Sequence, residues 1–423
     1  MEKAAYRKLD PEDIEKANQK AVMNMIESEA YLVDIQPAIK VIPGFKYDLI
    51  THAGPPIEWD RMAKVQKVAI INAALAEGLA DSPEKAEKLI KRNEILIAPN
   101  HDYNLVSGMC GATAASFPVL VIKDPIHENT AFVWQQTDIT AFGDKFEKGI
   151  SEINFVKEVL APVIRGTIKE MGNKINIKEI MALGLQMGDE LHSRFDATLG
   201  IFLLKISSAM LSTGFSKEEL KKVVEYFVTS HGGKWYPGNL TMGACKVMTM
   251  SAENIKMSTI VTVMSRNGVE FGIRVSGLGK RWFTGPAGRV TGFTFPGYTH
   301  DDAAPDIGDS AIIETRGLGC MTIAASPSQS RFLGGLQEAI KHVKDMYRIT
   351  VGRDPMFRIP TMDFSEAPVG IDIRKVLELN IVPKITTGMA HKEGGHSIIG
   401  AGVAEAPIEA FKKAIIAFAR EYL

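Results

Sequence analysis

The residues able to do chemistry fall in five segments where glycine or proline sits beside charge. The first is HAGPPIEWDRM (52–62), a proline-stiffened loop with Glu58, Asp60 and Arg61 crowding a helix start; capping that helix is their simplest role. The second, APNHDYNLVSGMCGATA (98–114), follows an apolar run. A strand–loop–helix order there would point main-chain N–H groups at an anion, with His101 and Asp102 at its mouth. It lacks the GxxxxGK[ST] of a P-loop, and a single His in such a place is more often a hydrogen-bonded turn residue.

The third segment is MGDELHSRFDATLG (187–200). Read as a helix, it puts Asp189, His192 and Asp196 on one side and pairs Glu190 with Arg194 at i,i+4. Charges in an otherwise apolar helix are costly unless they meet partners or substrate. The spacing is not HExxH, so a zinc-protease arrangement fails. The fourth segment runs VSGLGKRWFTGPAG (275–288) and continues through PDIGDSAIIETRGLG (305–319), carrying Lys280, Arg281, Asp306, Asp309, Ser310, Glu314 and Arg316 among glycines that let backbone approach a ligand. The fifth, TTGMAHKEGGHSIIGAG (386–402), holds His391, Lys392, Glu393 and His396. Two His five residues apart could ligate a metal, but no Cys or Asp completes a set, so no metal is expected.

Five blocks, GPPIEWDRM, MGDELHSRFDA, NGVEFGIRVSGLGKRWFTGPA, PDIGDSAIIETRGLG and TTGMAHKEGGHSIIGAG, run in order from residue 54 to 402. They resemble the shared blocks of a large bacterial family long described as a domain of unknown function, which includes the large subunit of oxamate carbamoyltransferase. The resemblance implies a transferase subunit working beside FdrA-like and other carbamoyltransferase subunits in nitrogen catabolism. The implied reaction interconverts oxalurate plus phosphate with oxamate plus carbamoyl phosphate. It also leaves open a non-catalytic assembly or substrate-binding subunit, and, from scattered His and Asp, a metal-dependent amidohydrolase. No S-T-R-T or H-P-x-Q motif of ordinary transcarbamylases is present.

That chemistry sets needs. The substrates are small anions bearing phosphate or carboxylate, which Arg grips in bidentate fashion. The carbamoyl carbon passes through a tetrahedral state whose oxygen needs fixed donors. Arg194, Arg274, Lys280, Arg281 and Lys392 are the candidate anion holders. Asp189, His192, Asp306 and Glu393 are the candidate orienting or proton-handling groups. No cofactor is required.

The elements that must position these residues suggest an α+β (mixed α/β), multi-domain chain with a central all-helical module. Residues 1–150 read as an N-terminal α/β domain. Asp10 and Pro11 open a first helix, a second spans Trp59–Leu79, and Ser82-Pro83 opens a third. Short apolar strands lie at 94–100, 117–123 and 130–136. Residues 151–230 read as helix throughout, at 151–171, 177–187, 189–212 and 217–230. Residues 231–423 read as a C-terminal α+β domain. Its hairpin, 258–266 and 269–277, turns at Asn267-Gly268, a dipeptide favoured in type I′ turns. Alternation puts Val269, Phe271, Ile273 and Val275 on the core face and Glu270, Gly272, Arg274 and Ser276 on a face suited to solvent or ligand. A helix near 330–347, strands near 381–387 and 396–403, and a final helix follow.

Composition bounds the rest. The 423 residues are 45% apolar and 23% charged, enough for a sizeable core. With 49 Lys plus Arg against 50 Asp plus Glu, the chain has no domain-wide basic field for nucleic acid. Nothing resembles a signal peptide, and no apolar run approaches the roughly 18 residues of a membrane span. Cys110, Cys245 and Cys320 are sparse and form no CxxC, which suggests reduced, buried thiols in a cytoplasm. Expected partners are therefore small anions and sister subunits, with a homodimer as an alternative, and neither nucleic acid nor membrane.

Overall fold

The apolar run FPVLVI forms the middle of the largest sheet in the computed structural model, which describes residues 11–422. Strand Pro118–Asp124 pairs antiparallel with Asn129–Trp134 on one side and Tyr31–Pro37 on the other. It is buried almost throughout, which is why it carries no polar alternation. Leu105–Val106 and Ile175–Asn176 complete five strands. A parallel pair, Leu49–His52 and Leu96–Pro99, is joined through helices Lys64–Glu77 and Pro83–Lys91. The Ser82 hydroxyl accepts from the Lys85 N–H and caps the latter helix, as its sequence predicts. The cap expected at Asp10 lies outside the described residues.

Helices at 146–170, Ile177–Gln186, Asp196–Ser212 and Lys217–Thr229 follow, interrupted by strand Ile175–Asn176, the last helix opened by a Ser216/Glu219 capping box. A further helix, Tyr236–Met250, was not legible in the sequence. Its Pro, two Gly, Asn and Thr give it low intrinsic propensity. Burial of every residue from Tyr236 to Thr249 outweighs that preference, and Pro237 sits in the first turn where its missing N–H costs nothing. The helix lies against the largest sheet. At Gly243 a Cβ would come 2.4 Å from Val133 Cγ2 and 2.7 Å from Ile122 Cδ1.

The C-terminal half builds three smaller sheets. The first, Phe283–Pro286, Glu270–Val275, Val261–Asn267 and Ile307–Gly308, is packed by the final helix Ile408–Tyr422. The second combines Thr291–Thr294, Gly400–Glu405 and Lys384–Met389. The third is the hairpin Thr350–Ile359 with Ser365–Ile371, flanked by helices Leu336–Ile349 and Pro11–Glu27. The main apolar cluster draws residues from Ala30 to Val403, so the segments before 150, through 230 and beyond share packed surface. No helix of the described residues is long and apolar enough to cross a membrane.

Three local expectations are corrected. Residues 98–114 are not strand–loop–helix: a 3-10 turn, Asn100–Tyr103, and the short strand 105–106 follow Pro99, then a buried irregular loop. The hairpin turn is not type I′, because only Gly268 has positive φ. The Asn267 side chain instead accepts from the Val269 and Glu270 N–H groups and widens the turn. Residues 187–195 are not helical, since Gly188 (φ 102°) and Leu191 (φ 75°) break the chain direction.

Enlarging Gly243 tests the helix-on-sheet contact. Gly243→Val should lower stability by about 1–3 kcal/mol through overpacking. Urea unfolding of the variant measures this, and an unchanged midpoint would contradict the close approach.

Candidate active site

The first, second and fourth glycine-and-charge segments meet around one buried carboxylate. Asp309 accepts from the Gly54 N–H (3.1 Å) and the Ser265 hydroxyl (2.6 Å) on Oδ1. It accepts from Asn100 Nδ2 (2.7 Å) and the Ser107 N–H (3.1 Å) on Oδ2. Three chain segments, around Gly54, Asn100–Ser107 and Ser265, are thereby pinned to one side chain. His101 lies alongside, Nε2 3.5 Å from Asp309 Oδ1, yet neither ring nitrogen makes a hydrogen bond. Burial, with Lys246 and Arg274 nearby, holds its pKa well below the ordinary imidazole value. Asn100 Oδ1, Ser107 Oγ, Arg274 Nε and Trp282 Nε1 are also buried without partners, a concentration of unmet polar atoms around this region.

Directly beside Asp309 is a small pocket of about 30 Å3, walled by four of the five segments. Gly108 and Met109 come from the second, His192 and Phe195 from the third, Ser310 and Ile313 from the fourth, and Gly388 and Ile398 from the fifth. Gln136, Phe142, Trp235, Gly238 and Met242 close it. The lining is mainly apolar with three polar side chains, Gln136, His192 and Ser310.

His192 is the one imidazole in that wall. Its Nδ1 lies 2.7 and 2.8 Å from the two oxygens of buried Glu314, and Nε2 has no partner among the described residues. The Glu314 carboxylate is itself fixed by the Cys320 N–H (2.9 Å) and the Thr386 N–H (3.2 Å). Gly319 (φ 60°) makes this possible: a Cβ there would sit 2.3 Å from Glu314 Oε1. The main chain of His192 is held from below by Glu190, which accepts from the N–H groups of His192, Ser193 and Arg194. Burial raises the Glu190 pKa, opposed by His192 and those bonds. A carboxylate-oriented imidazole in a pocket wall, its second nitrogen unpartnered among the described residues, is an arrangement that suits a general acid–base.

The other charged residues singled out in the sequence go elsewhere. Asp189 is buried, accepts from the Thr198 N–H and hydroxyl (both 2.7 Å), and starts helix 196–212; burial raises its pKa. Arg194 pairs with Asp196 (2.9 Å) and Asp189 (3.5 Å), so the expected ion pair with Glu190 is replaced by a main-chain bond. Asp306 forms a buried bidentate pair with Arg266 (2.7 and 2.9 Å) and accepts from Thr387. Arg274 is not on a solvent face: it is buried, paired with Asp102, stacked 4.3 Å over Trp282, and donates to the His101 carbonyl. Lys280 is exposed, and Arg281 pairs with Glu421 (2.9 Å) on the final helix. Lys392 donates to the Asp301 carbonyl (2.7 Å). Glu393 is exposed, and Lys64 at 2.5 Å lowers its pKa. His391 and His396 stack with ring centroids 4.2 Å apart. Among the described residues no group of three or more His, Cys, Asp or Glu is placed to share a metal ion.

Sequence reasoning missed Arg266 and gave no role to Glu314. Arg266 stands in an apolar strand, and its guanidinium also donates to the Gly308 carbonyl, Ser310 and Thr387. An uncompensated charge inside STIVTVMSR was the available signal.

The site thus defines an α+β protein with a buried Glu–His pair opening on a small, largely apolar pocket. A family model described as oxamate carbamoyltransferase subunit AllG matches residues 95–310. AllG of Escherichia coli K12, an oxamate carbamoyltransferase subunit, is 34% identical over 412 residues, covering 96% of this chain and 98% of AllG. YahG of the same strain, described as uncharacterized, is 37% identical over 410 residues, covering 96% of this chain and 86% of YahG. The crystal structure of a conserved protein of unknown function from Enterococcus faecalis V583 superposes with a TM-score of 0.94 at 38% identity, covering 97% of this chain and 99% of that one. The chain belongs to the AllG family of oxamate carbamoyltransferase subunits.

Burial raises the Asp309 pKa from 3.8 to about 6, against the four hydrogen bonds that lower it. The folded state therefore holds this proton more tightly than the unfolded state. The associated stability is fully present below about pH 4 and is lost as pH rises through about 6. Asp309→Asn removes the titration. The stability of wild type relative to Asp309→Asn should fall by roughly 2 kcal/mol between pH 4 and pH 6.5. Denaturant unfolding across that range measures it, and parallel pH curves would contradict a raised Asp309.

Proposed function

We propose that this chain carries the proton-transfer half of a carbamoyltransferase centre, within a complex that interconverts oxalurate plus phosphate with oxamate plus carbamoyl phosphate. The observation that carries the reading is the His192–Glu314 pair in the pocket wall, with His192 Nε2 unpartnered among the described residues. In phosphorolysis a phosphate oxygen attacks the carbamoyl carbon while His192 Nε2 takes its proton. The tetrahedral intermediate then collapses, the bond from carbon to the oxamate nitrogen breaks, and His192 returns the proton to that nitrogen. Glu314 orients the ring through Nδ1 and stabilises the imidazolium between the two steps. Gln136 and Ser310 offer a neutral amide and a hydroxyl that suit the planar carbamoyl group.

None of Arg194, Arg274, Lys280, Arg281 and Lys392 lines this pocket. Phosphate needs cations in the reacting complex, so the reading assigns them to a partner subunit. This agrees with a family whose characterised name is that of a subunit. The role proposed for Asp306 is to brace Arg266 and, through it, Ser310. Asp189 and Glu393 keep no part in proton transfer.

His192→Gln in the complex reconstituted with its sister subunits should cut kcat by about 10²–10⁴-fold, the usual share of general acid–base catalysis. Its thermal unfolding should stay close to wild type. Carbamoyl phosphate formation from oxalurate and phosphate is the assay. Retained kcat would remove His192 from the mechanism, and full turnover by the isolated chain would remove the need for a partner.

A further inference from the structure

The reaction above creates negative charge on the carbamoyl oxygen, and no charged donor in this pocket wall receives it. The loop Ser107–Gly111 supplies main-chain groups instead. Gly108 and Met109 both line the pocket, and both are buried. The loop's other amides are engaged: Ser107 N–H with Asp309, Cys110 N–H with the Ala141 carbonyl (2.9 Å), and Gly111 N–H with the Gly108 carbonyl (3.1 Å). The N–H groups of Gly108 and Met109 have no acceptor among the described residues. Buried main-chain N–H groups are almost always paired, so two adjacent orphans at a pocket wall need a partner that binds there.

The loop is also held in a conformation that a free chain would avoid. Met109 has φ 48°, a left-handed value that costs a non-glycine residue about 1 kcal/mol or more. Gly108 lies close against the Gln136 amide, where a Cβ would sit 1.6 Å from Oε1 unless that side chain moved. At Gly308, a Cβ would approach Met109 N to 3.2 Å. Asp309 fixes the loop from one end through Ser107, and Ala141 from the other through Cys110.

We propose that the Gly108 and Met109 N–H groups form an oxyanion hole for the carbamoyl oxygen, on the same pocket wall system as His192, with Asp309 as the residue that positions it. The inference rests on the carbamoyl-transfer reading and deepens it. The ligand class is a planar, carbamoyl-bearing anion whose carbonyl oxygen becomes an oxyanion as phosphate adds or leaves.

Backbone ester substitution tests this without altering a side chain. Incorporating the α-hydroxy analogue of methionine at 109 replaces that N–H with oxygen. It also weakens the Gly108 carbonyl that accepts from Gly111, so an ester at 111, which removes the same bond from the donor side, is the control. In the reconstituted complex the ester at 109 should lower kcat by about 10²–10³-fold with KM little changed. The ester at 111 should leave kcat within a few-fold of wild type and lower thermal stability. Calorimetry adds an arm that needs no turnover. The ester at 109 should weaken carbamoyl phosphate by about 2–10-fold and leave inorganic phosphate unchanged. A wild-type complex that binds carbamoyl phosphate without turning over would retire the reaction, while selective weakening by the ester would still uphold the hole. Equal loss for carbamoyl phosphate and phosphate would overturn the carbamoyl assignment. Wild-type kcat and affinity in the ester variant, or no binding of carbamoyl phosphate to the wild-type complex, would overturn the hole itself.

Discussion

A single buried carboxylate, Asp309, ties together loops that lie far apart in the chain. Gly54, Asn100, Ser107 and Ser265 each donate to it, and its sequence neighbour Ser310 faces the pocket. Taking a carboxylate out of water is costly, and four donors offset that cost without making the group an evident source of net stability. What the arrangement secures is geometry. The alternative positions of these glycine-rich loops leave either a buried charge or a buried amide unpaired, so one arrangement is strongly favoured over its neighbours.

The same logic recurs one layer out. Arg266 spends its donors on Asp306, Gly308, Ser310 and Thr387, which stiffens the floor beneath the pocket. Glu314 gathers the Cys320 and Thr386 N–H groups and then aims His192. Glu190 holds the His192 backbone from the opposite direction. The pocket therefore has rigid walls and few charges of its own. That combination suits recognition of a neutral, planar group and strengthens any dipole that points inward. On the proposed reaction, the phosphate end needs positive charge that this wall does not provide, and the proposal assigns that charge to a partner subunit.

Much of this was legible where local chemistry decides the outcome. Ser82 and Ser216 cap the helices their sequence announces, and the alternation over Phe271, Ile273 and Val275 puts those side chains in the core. The five segments were recognisable as unusual, and four of them wall the pocket. Roles within them were less legible, because they depend on contacts across hundreds of residues. Asp309 and Gly54 are 255 positions apart, and His192 and Glu314 are 122 apart. Arg274 looked like a ligand-facing cation by strand alternation, and Asp102 and Trp282 covered that face. Residues 187–195 carried a helical pattern that Gly188 and Leu191 broke, and Glu190 turned from an expected ion-pair partner into an acceptor for three N–H groups. The helix Tyr236–Met250 went unseen because propensity argues against it and only tertiary burial supports it.

The central claim is that the pocket beneath His192 is where the carbamoyl group is handled. A structure of the assembled complex with carbamoyl phosphate bound addresses it without relying on any variant. The account predicts the carbamoyl carbon inside the pocket, its leaving-group side within hydrogen-bonding reach of His192 Nε2, about 2.6–3.2 Å, and the phosphate facing cations of a partner subunit. Carbamoyl phosphate found wholly within a partner, with the His192 pocket unchanged and empty, would contradict it.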